Sequence, residues 1–225
     1  MTIGFRVLQR RRAVPASLVA KYHGFPVANV SDSMHRLTAG GSRLRPMHAA
    51  GPLCGPAVTV RTRPGDNLMV HAALDLAVAG DVIVVDAGGD LTNAIFGELM
   101  MTIAIQKGLA GIVINGAIRD YAAIHGSNFP VFAAGITHRG PYKDGPGEVN
   151  VTIAVDGMTV EPGDLVIGDD DGVLAVPFDA AEEVYAAALA KNEAEQRKAV
   201  NNANGSADRS HVRERLISLG AVIEG

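Results

Sequence analysis

Two β-branched runs constrain what this chain can fold into more than anything else in it: Asp81–Asp86 (DVIVVD) and Gly111–Ala117 (GIVINGA). A short apolar run of this kind, bounded by turn residues, reads as a buried strand. Ala57–Thr62 (AVTVRT) alternates like a further strand, and Val131–Ala134 reads as another. The segments between them are helical in pattern. Asp66 and Asn67 can cap a helix through Leu68, Val70, Ala73, Leu74, Ala77 and Val78 that stops near Gly80. After the Gly88-Gly89 turn the spacing predicts a helix over 92–107, closed by Gly108. Arg119–His125 makes a short one. Strand alternating with helix argues for βαβ units with parallel strands and right-handed crossovers, and so for an α/β fold.

The flanks differ. Residues 14–24 and Asn29–Leu37 read as helices, the second with Ser31 or Asp32 as its cap, and Gly40–Gly55 reads as irregular. His138–Glu148 is rich in Gly and Pro and predicts a long loop, a common seat of function. From Val149 to Pro177 short runs separated by turn signals predict a β-meander. An Ala- and Glu-rich helix over 180–200, a polar linker and a small helix over 211–223 follow. Residues 1–178 are therefore expected to form a catalytic α/β domain, and residues 179–225 a C-terminal helical extension that makes oligomer contacts.

Composition excludes several classes of function. A net charge of -4, with Arg10-Arg11-Arg12 as the one dense basic run, argues against nucleic-acid binding, and that run reads as a solvated face. The single Cys54 rules out an intrachain disulfide and a cysteine zinc site, and reads as a small buried residue. No apolar run is long enough to span a bilayer and no signal core opens the chain, so no membrane association and a cytoplasmic setting are expected. GxGxxG, GxxxxGK[ST] and GxSxG motifs are absent, which removes the nucleotide and serine-nucleophile readings.

Arg119-Asp120 closes the Gly111–Ile118 run, and open parallel sheets bind ligands beyond the carboxyl ends of their strands. Arg119 can clamp an anion in a bidentate fork while Asp120 holds a hard divalent cation, a pairing suited to a 2-keto acid. The same residues also admit scaffold roles, Asp120 as the cap of the short helix and Arg119 as partner to a surface carboxylate. Gly97-Glu98 lies mid-helix if the helix spans 92–107. If instead the chain is irregular from Asp90 to about Ala94, the amides of Gly97 to Met100 can face the crevice, where unpartnered N–H groups attract anions. Other candidates read more plainly. His125 falls on the far side of a helix turn from Asp120, Asp169-Asp170-Asp171 forms an exposed turn, and His71 and Asp75 support each other locally. His138-Arg139 suits a lid or subunit contact.

Three motifs in order, Gly80–Asp86, Phe96-Gly97-Glu98-Leu99-Met100 and Gly111–Asp120, resemble the family of the regulator of ribonuclease E activity A. That family includes divalent-metal-dependent 4-hydroxy-4-methyl-2-oxoglutarate aldolases that also decarboxylate oxaloacetate. The likeness runs over roughly residues 15 to 177 and includes Asp32. It implies a layered αββα-type domain, homotrimers or homohexamers with sites at subunit interfaces, and a lyase that releases pyruvate from a small 2-keto dicarboxylate. It further implies that Gly97, Glu98, Leu99 and Met100 contact the keto acid through their backbone, that Arg119 binds substrate and that Asp120 holds Mg²⁺ or Mn²⁺. The aldolases carry an acid three positions after the metal aspartate, where this chain has Ala123. That leaves the general base, a metal-bound water or a carboxylate, unassigned and favours decarboxylation over aldol cleavage; the resemblance also implies that Glu193 or Glu195 reaches a neighbouring subunit's site. The alternative within the family is a non-enzymatic regulator that binds a ribonuclease.

Overall fold

The two β-branched runs lie side by side as parallel strands, with Val84 opposite Val113. In the computed structural model, which describes residues 3–223, the chain opens with β1 (Phe5–Val7), α1 (Ala16–Tyr22), α2 (Val27–Ser33), β2 (Arg45–Pro46) and β3 (Leu53–Thr62). It continues through α3 (Leu68–Leu76), β4 (Val82–Asp86), β5 (Ala94–Phe96), α4 (Glu98–Gln106), β6 (Gly111–Ile118), α5 (Tyr121–His125) and β7 (Val131–Ile136). Five short strands follow, β8 (Gly147–Val149), β9 (Ile153–Val155), β10 (Met158–Val160), β11 (Leu165–Asp169) and β12 (Gly172–Val176), and they correct the expected meander: β9–β10 and β11–β12 are separate hairpins, β11 pairs with β3, and β8 pairs with β1 and β3. Helices α6 (Ala181–Ala203) and α7 (Ser210–Ser218) close the chain.

Among the described residues ten strands form one sheet, whose spine is the parallel set β3, β4, β6 and β7. Period-two alternation sends successive side chains of these strands to opposite faces. Val82, Val84, Val113 and Phe132 enter one core, shared with α1, α2, residues of β9–β12 and the start of α6. Ile83, Val85, Ile112, Ile114 and Val131 enter the other, beneath Val70 and Leu74 of α3, Met101 and Ala104 of α4 and Ile124 of α5. Strand β9 packs across β3 and β4. The result is the expected α/β architecture, with helices outside two β layers. The chain forms two compact units that part between Ala188 and Leu189. In the second, α7 buries none of its side chains, and Lys191 pairs with Glu195 at 3.3 Å.

Several local expectations are corrected. The helix predicted over 92–107 begins only at Glu98. Asp90 Oδ2 accepts the Thr92 and Asn93 N–H groups in a turn, and Ala94–Phe96 is drawn into the sheet beside Ala117 and Ile118. Helix α2 starts earlier than Asn29, because Asp169 Oδ2 accepts the Val27 N–H at 2.9 Å. Ser31 and Asp32 therefore sit at its end, where Asp32 pairs with Arg36 at 2.6 Å. Strand β3 begins at Leu53, inside the stretch expected to be irregular. Gly55 permits this, since a Cβ there would collide with the Gly80 carbonyl. The basic run is not a free face: Arg10 pairs with buried Asp81 at 2.7 Å, and Arg12 with Glu161 and Asp179. Asp169 Oδ1 accepts the Asp171 N–H in the turn expected there.

A candidate active site at the carboxyl end of β6

Strand β6 ends at Ile118, and Arg119 donates its N–H to the Phe96 carbonyl at 2.9 Å. Asp120 then adopts a left-handed conformation, φ 55° and ψ 41°, which non-glycine residues visit at a cost of about 1–2 kcal/mol. The turn stands where a helix-capping aspartate would, but its side chain does not cap α5. Instead Asp120 Oδ2 accepts the Glu98 N–H at 3.1 Å, at the positive end of α4. Arg119 Nε lies 3.7 Å from the same oxygen. Of the two scaffold roles open to this pair, capping of α5 is not observed, while Arg119 does lie beside a surface carboxylate, that of its own neighbour.

Gly97 makes this approach possible. Its backbone is extended, φ -161°, so conformation does not demand glycine, but space does. A Cβ would lie 2.5 Å from Asp120 Oδ2 and 3.1 Å from Arg119 Cγ. The amides of the 97–100 segment are not equivalent. The Glu98 N–H is taken by Asp120 and the Met100 N–H by the Gly97 carbonyl, whereas the Leu99 N–H has no acceptor among the described residues.

These groups border a cavity of about 110 Å³. It is lined by Ala94–Gly97, Leu99 and Met100, by Arg119 and Asp120, and by a further wall of Asn67, His71, Pro141 and Lys143. The second wall was not foreseen. Asn67 stands at the N-cap position of α3 without a side-chain cap, and His71 lies one turn further on, its N–H donating to the Asn67 carbonyl at 3.1 Å. His71 thus lines the cavity rather than serving only as a local partner of Asp75. Burial, then the nearby Lys143 ammonium, hold its imidazole below the usual histidine range, with Asp75 opposing. The signal that could have found this wall is the placement of Asp66–His71 after β3, at the same sheet edge as Arg119.

The loop expected to act as a lid is fastened down. Fully buried Asp66 accepts N–H groups from Asp144 and Gly145 at 2.8 and 2.9 Å, and one from Leu68. Arg63 donates to it as well. Asn93 Nδ2 donates to the Gly140 carbonyl, and the Ala94 N–H to that of Arg139. Pro141 and Lys143, not His138 and Arg139, reach the cavity. His125 stacks on Tyr121 away from it. A wider hollow of about 970 Å³ near the α6–α7 turn is bordered by exposed side chains such as Asn202 and His211, so it encloses nothing.

A model of the RraA-like family, described as Aldolase/RraA, matches residues 27–175, which span the whole of this site. The chain belongs to that family. A Halalkalibacterium halodurans protein provisionally named as a 4-hydroxy-4-methyl-2-oxoglutarate aldolase is 40% identical over 82% of this chain and 89% of its own. The crystal structure of Streptomyces coelicolor RraAS2, described as an unusual member of the RNase ES inhibitor RraA protein family, is 28% identical. It covers 82% of this chain and 96% of that one with a TM-score of 0.75. The RNA-processing inhibitor RraA from Thermus thermophilis is 32% identical over 68% of this chain and 92% of its own, with a TM-score of 0.63. Aldolase/RraA relatives thus include a provisionally named enzyme and proteins described as inhibitors. No helix among the described residues is long and apolar enough to cross a membrane.

Proposed function

We propose that this Aldolase/RraA chain is a divalent-metal-dependent lyase that cleaves a C–C bond of a small 2-keto dicarboxylate and releases pyruvate. The substrates are 4-hydroxy-4-methyl-2-oxoglutarate, oxaloacetate or both. The observation that carries this reading is the left-handed Asp120, which sets a carboxylate beside the Arg119 guanidinium on the wall of a small cavity.

The donor set suits Mg²⁺ or Mn²⁺. Asp120 is a hard oxygen ligand, and its Oδ1 accepts no hydrogen bond among the described residues. Those residues hold no cluster of three His, Cys, Asp or Glu side chains that could cage an ion, but Mg²⁺ keeps several waters and needs one or two carboxylates. Asp120 would hold the ion, which would supply Lewis-acid stabilisation of the enolate. Arg119 pairs with a substrate carboxylate in the bidentate manner that guanidinium allows. The Leu99 amide offers the keto acid a further donor, and Phe96 and Met100 exclude water from the lining.

Chelator-treated protein refilled with Mg²⁺ and assayed for pyruvate release from both substrates tests this, with Asp120→Ala as control. Release that needs the metal and is abolished in the variant is expected. Release without a divalent ion, or undiminished by the substitution, refutes it. The alternative, a non-enzymatic regulator that occludes a ribonuclease, draws on the likeness to the two RraA structures and the net charge of -4. Inhibition of a ribonuclease by Asp120→Ala protein as strong as by wild type would favour it.

The active assembly is a cytoplasmic homotrimer or homohexamer, with residues 179–225 contributing contacts. Exposed Val212, Leu216, Ile217 and Leu219 on and after α7 support this, as apolar side chains gathered on one short segment mark an interaction surface. Light scattering of the full chain, and of one ending at residue 188, reads the mass directly.

A further inference from the structure

Resting on the lyase reading, we propose that His71 is the acid–base residue of this cavity. It takes the proton of the substrate's 4-hydroxyl and later delivers it to C3 of the pyruvate enolate. His71 of α3 and Lys143 of the 137–147 loop line the same hollow as Arg119 and Asp120. In a hollow of about 110 Å³, a substrate gripped by its keto-acid end keeps its 4-hydroxyl within the lining that His71 shares. The ring nitrogens of His71 make no hydrogen bond with any described residue, so both remain available to a ligand.

A second observation points the same way. Asn67, on the same face one turn before His71, is buried, and its Oδ1 has no hydrogen-bond partner. Its Nδ2 reaches only the Met100 sulfur at 3.5 Å. A buried polar atom left unpaired costs about 1–3 kcal/mol unless a ligand or water meets it. This lining is therefore short of a donor near the imidazole, which a bound ligand or water would supply. The wall is also rigid, because Asp66 binds the backbone of Asp144 and Gly145 while the Asn67 N–H donates to the Tyr142 carbonyl. Fixed geometry of this kind is what proton transfer in a transition state requires.

The step balances within the site. As the O–H bond breaks toward imidazole, the C4–O bond becomes a carbonyl and the C3–C4 pair moves onto C3, delocalised over the C2 oxygen. The second keto acid departs, the imidazolium gives its proton to C3, and His71 returns to its starting form. Oxaloacetate has no hydroxyl to deprotonate. Its C3–C4 pair is released as carbon dioxide leaves, and solvent can protonate C3. His71, on α3, thus takes the base role that the substitution by Ala123 leaves unassigned.

The charged groups facing His71 are Lys143 from the loop, Asp75 one turn on along α3, and Arg119 and Asp120 in the same lining. They give the test its sign. His71→Asn should lower kcat for aldol cleavage by about 10²–10⁴ and remove the acidic limb of its pH profile. Deuterium exchange into the methyl group of pyruvate should be lost with it, while oxaloacetate decarboxylation falls by less than about tenfold. Lys143→Met removes a cation and should move the acidic limb to higher pH; Asp75→Asn removes an anion and should move it to lower pH. A structural role for His71 predicts no such opposed shifts. Retained cleavage with the wild-type limb in His71→Asn overturns the assignment alone, as does equal loss of both activities. Wild-type protein that neither cleaves nor decarboxylates overturns the lyase reading and this assignment with it.

Discussion

The Asp66 carboxylate and the Asp144 N–H, separated by 78 residues in sequence, meet at 2.8 Å inside the protein. The same oxygen accepts from Gly145 and Arg63, and Oδ1 accepts from Leu68, so one buried side chain ties the start of α3 to the loop that brings Lys143 to the cavity. Asp66→Ala leaves three backbone donors without acceptors. The expected cost is about 3 kcal/mol, read by urea denaturation. Amide hydrogen exchange should locate the damage, with the Asp144 and Gly145 protons losing protection before those of β4 and β6. Uniform loss of protection across the sheet would show that Asp66 does not act on the loop.

Arg119 and lysine carry the same charge, which makes Arg119→Lys informative. An ammonium cannot offer the planar fork that meets both oxygens of a carboxylate. The Arg119 side chain is nearly half exposed, so its replacement should leave stability within about 0.5 kcal/mol of wild type. Pyruvate release should nevertheless fall in kcat/KM by about 10²–10³, with KM rising. A lysine variant of wild-type efficiency would reduce Arg119 to a source of charge.

What could be read from the sequence follows from how local each interaction is. Strands β4 and β6 are legible because runs of β-branched residues, Val82–Val85 and Ile112–Ile114, stand between turn and polar residues. Residues 94–96 (Ala-Ile-Phe) carry no such signal: three apolar residues suit a helix as well as a strand. Pairing with Ala117 and Ile118 settles their state. The cap of α2 was illegible for a similar reason, as its acceptor Asp169 lies 142 residues away. Within the cavity, Arg119 and Asp120 stand at a strand end visible in the pattern. Lys143 joins Asn67 and His71 through Asp66 and through backbone bonds such as Asn67 N–H to the Tyr142 carbonyl, contacts set by the tertiary fold.

Cys54 illustrates a residue whose chemistry the fold suppresses. It sits in β3 with 5% of its surface exposed, and burial pushes its thiol up to about 12. Because the thiolate is the reactive form, native protein at pH 8 should react with a thiol reagent orders of magnitude more slowly than protein in urea. Since the shift is upward, raising the pH from 7 to 9 should bring the unfolded chain toward its maximal rate, whereas the native rate, starting far lower, should still climb about tenfold per pH unit. Rapid native labelling at pH 8 would place Cys54 outside the core.

Gly97→Ala separates shape from stability at the candidate site. Alanine adopts φ -161° without strain, and the Gly97 carbonyl can still accept the Met100 and Met101 N–H groups, so α4 should keep its start. The added methyl would sit 2.5 Å from Asp120 Oδ2. That oxygen belongs to a short side chain held by a left-handed backbone and by the Glu98 N–H, so it has little freedom to yield. The overpacking should cost about 1 kcal/mol of stability. Displacing the carboxylate by under an ångström should instead lower kcat/KM by about 10²-fold and weaken the apparent affinity for Mg²⁺ in the activity assay. The comparison is between a thermal melt and a metal titration on the same preparation. A large drop in melting temperature with intact activity would mean that Gly97 serves the helix, and that the closeness of Asp120 to α4 has no part in the chemistry.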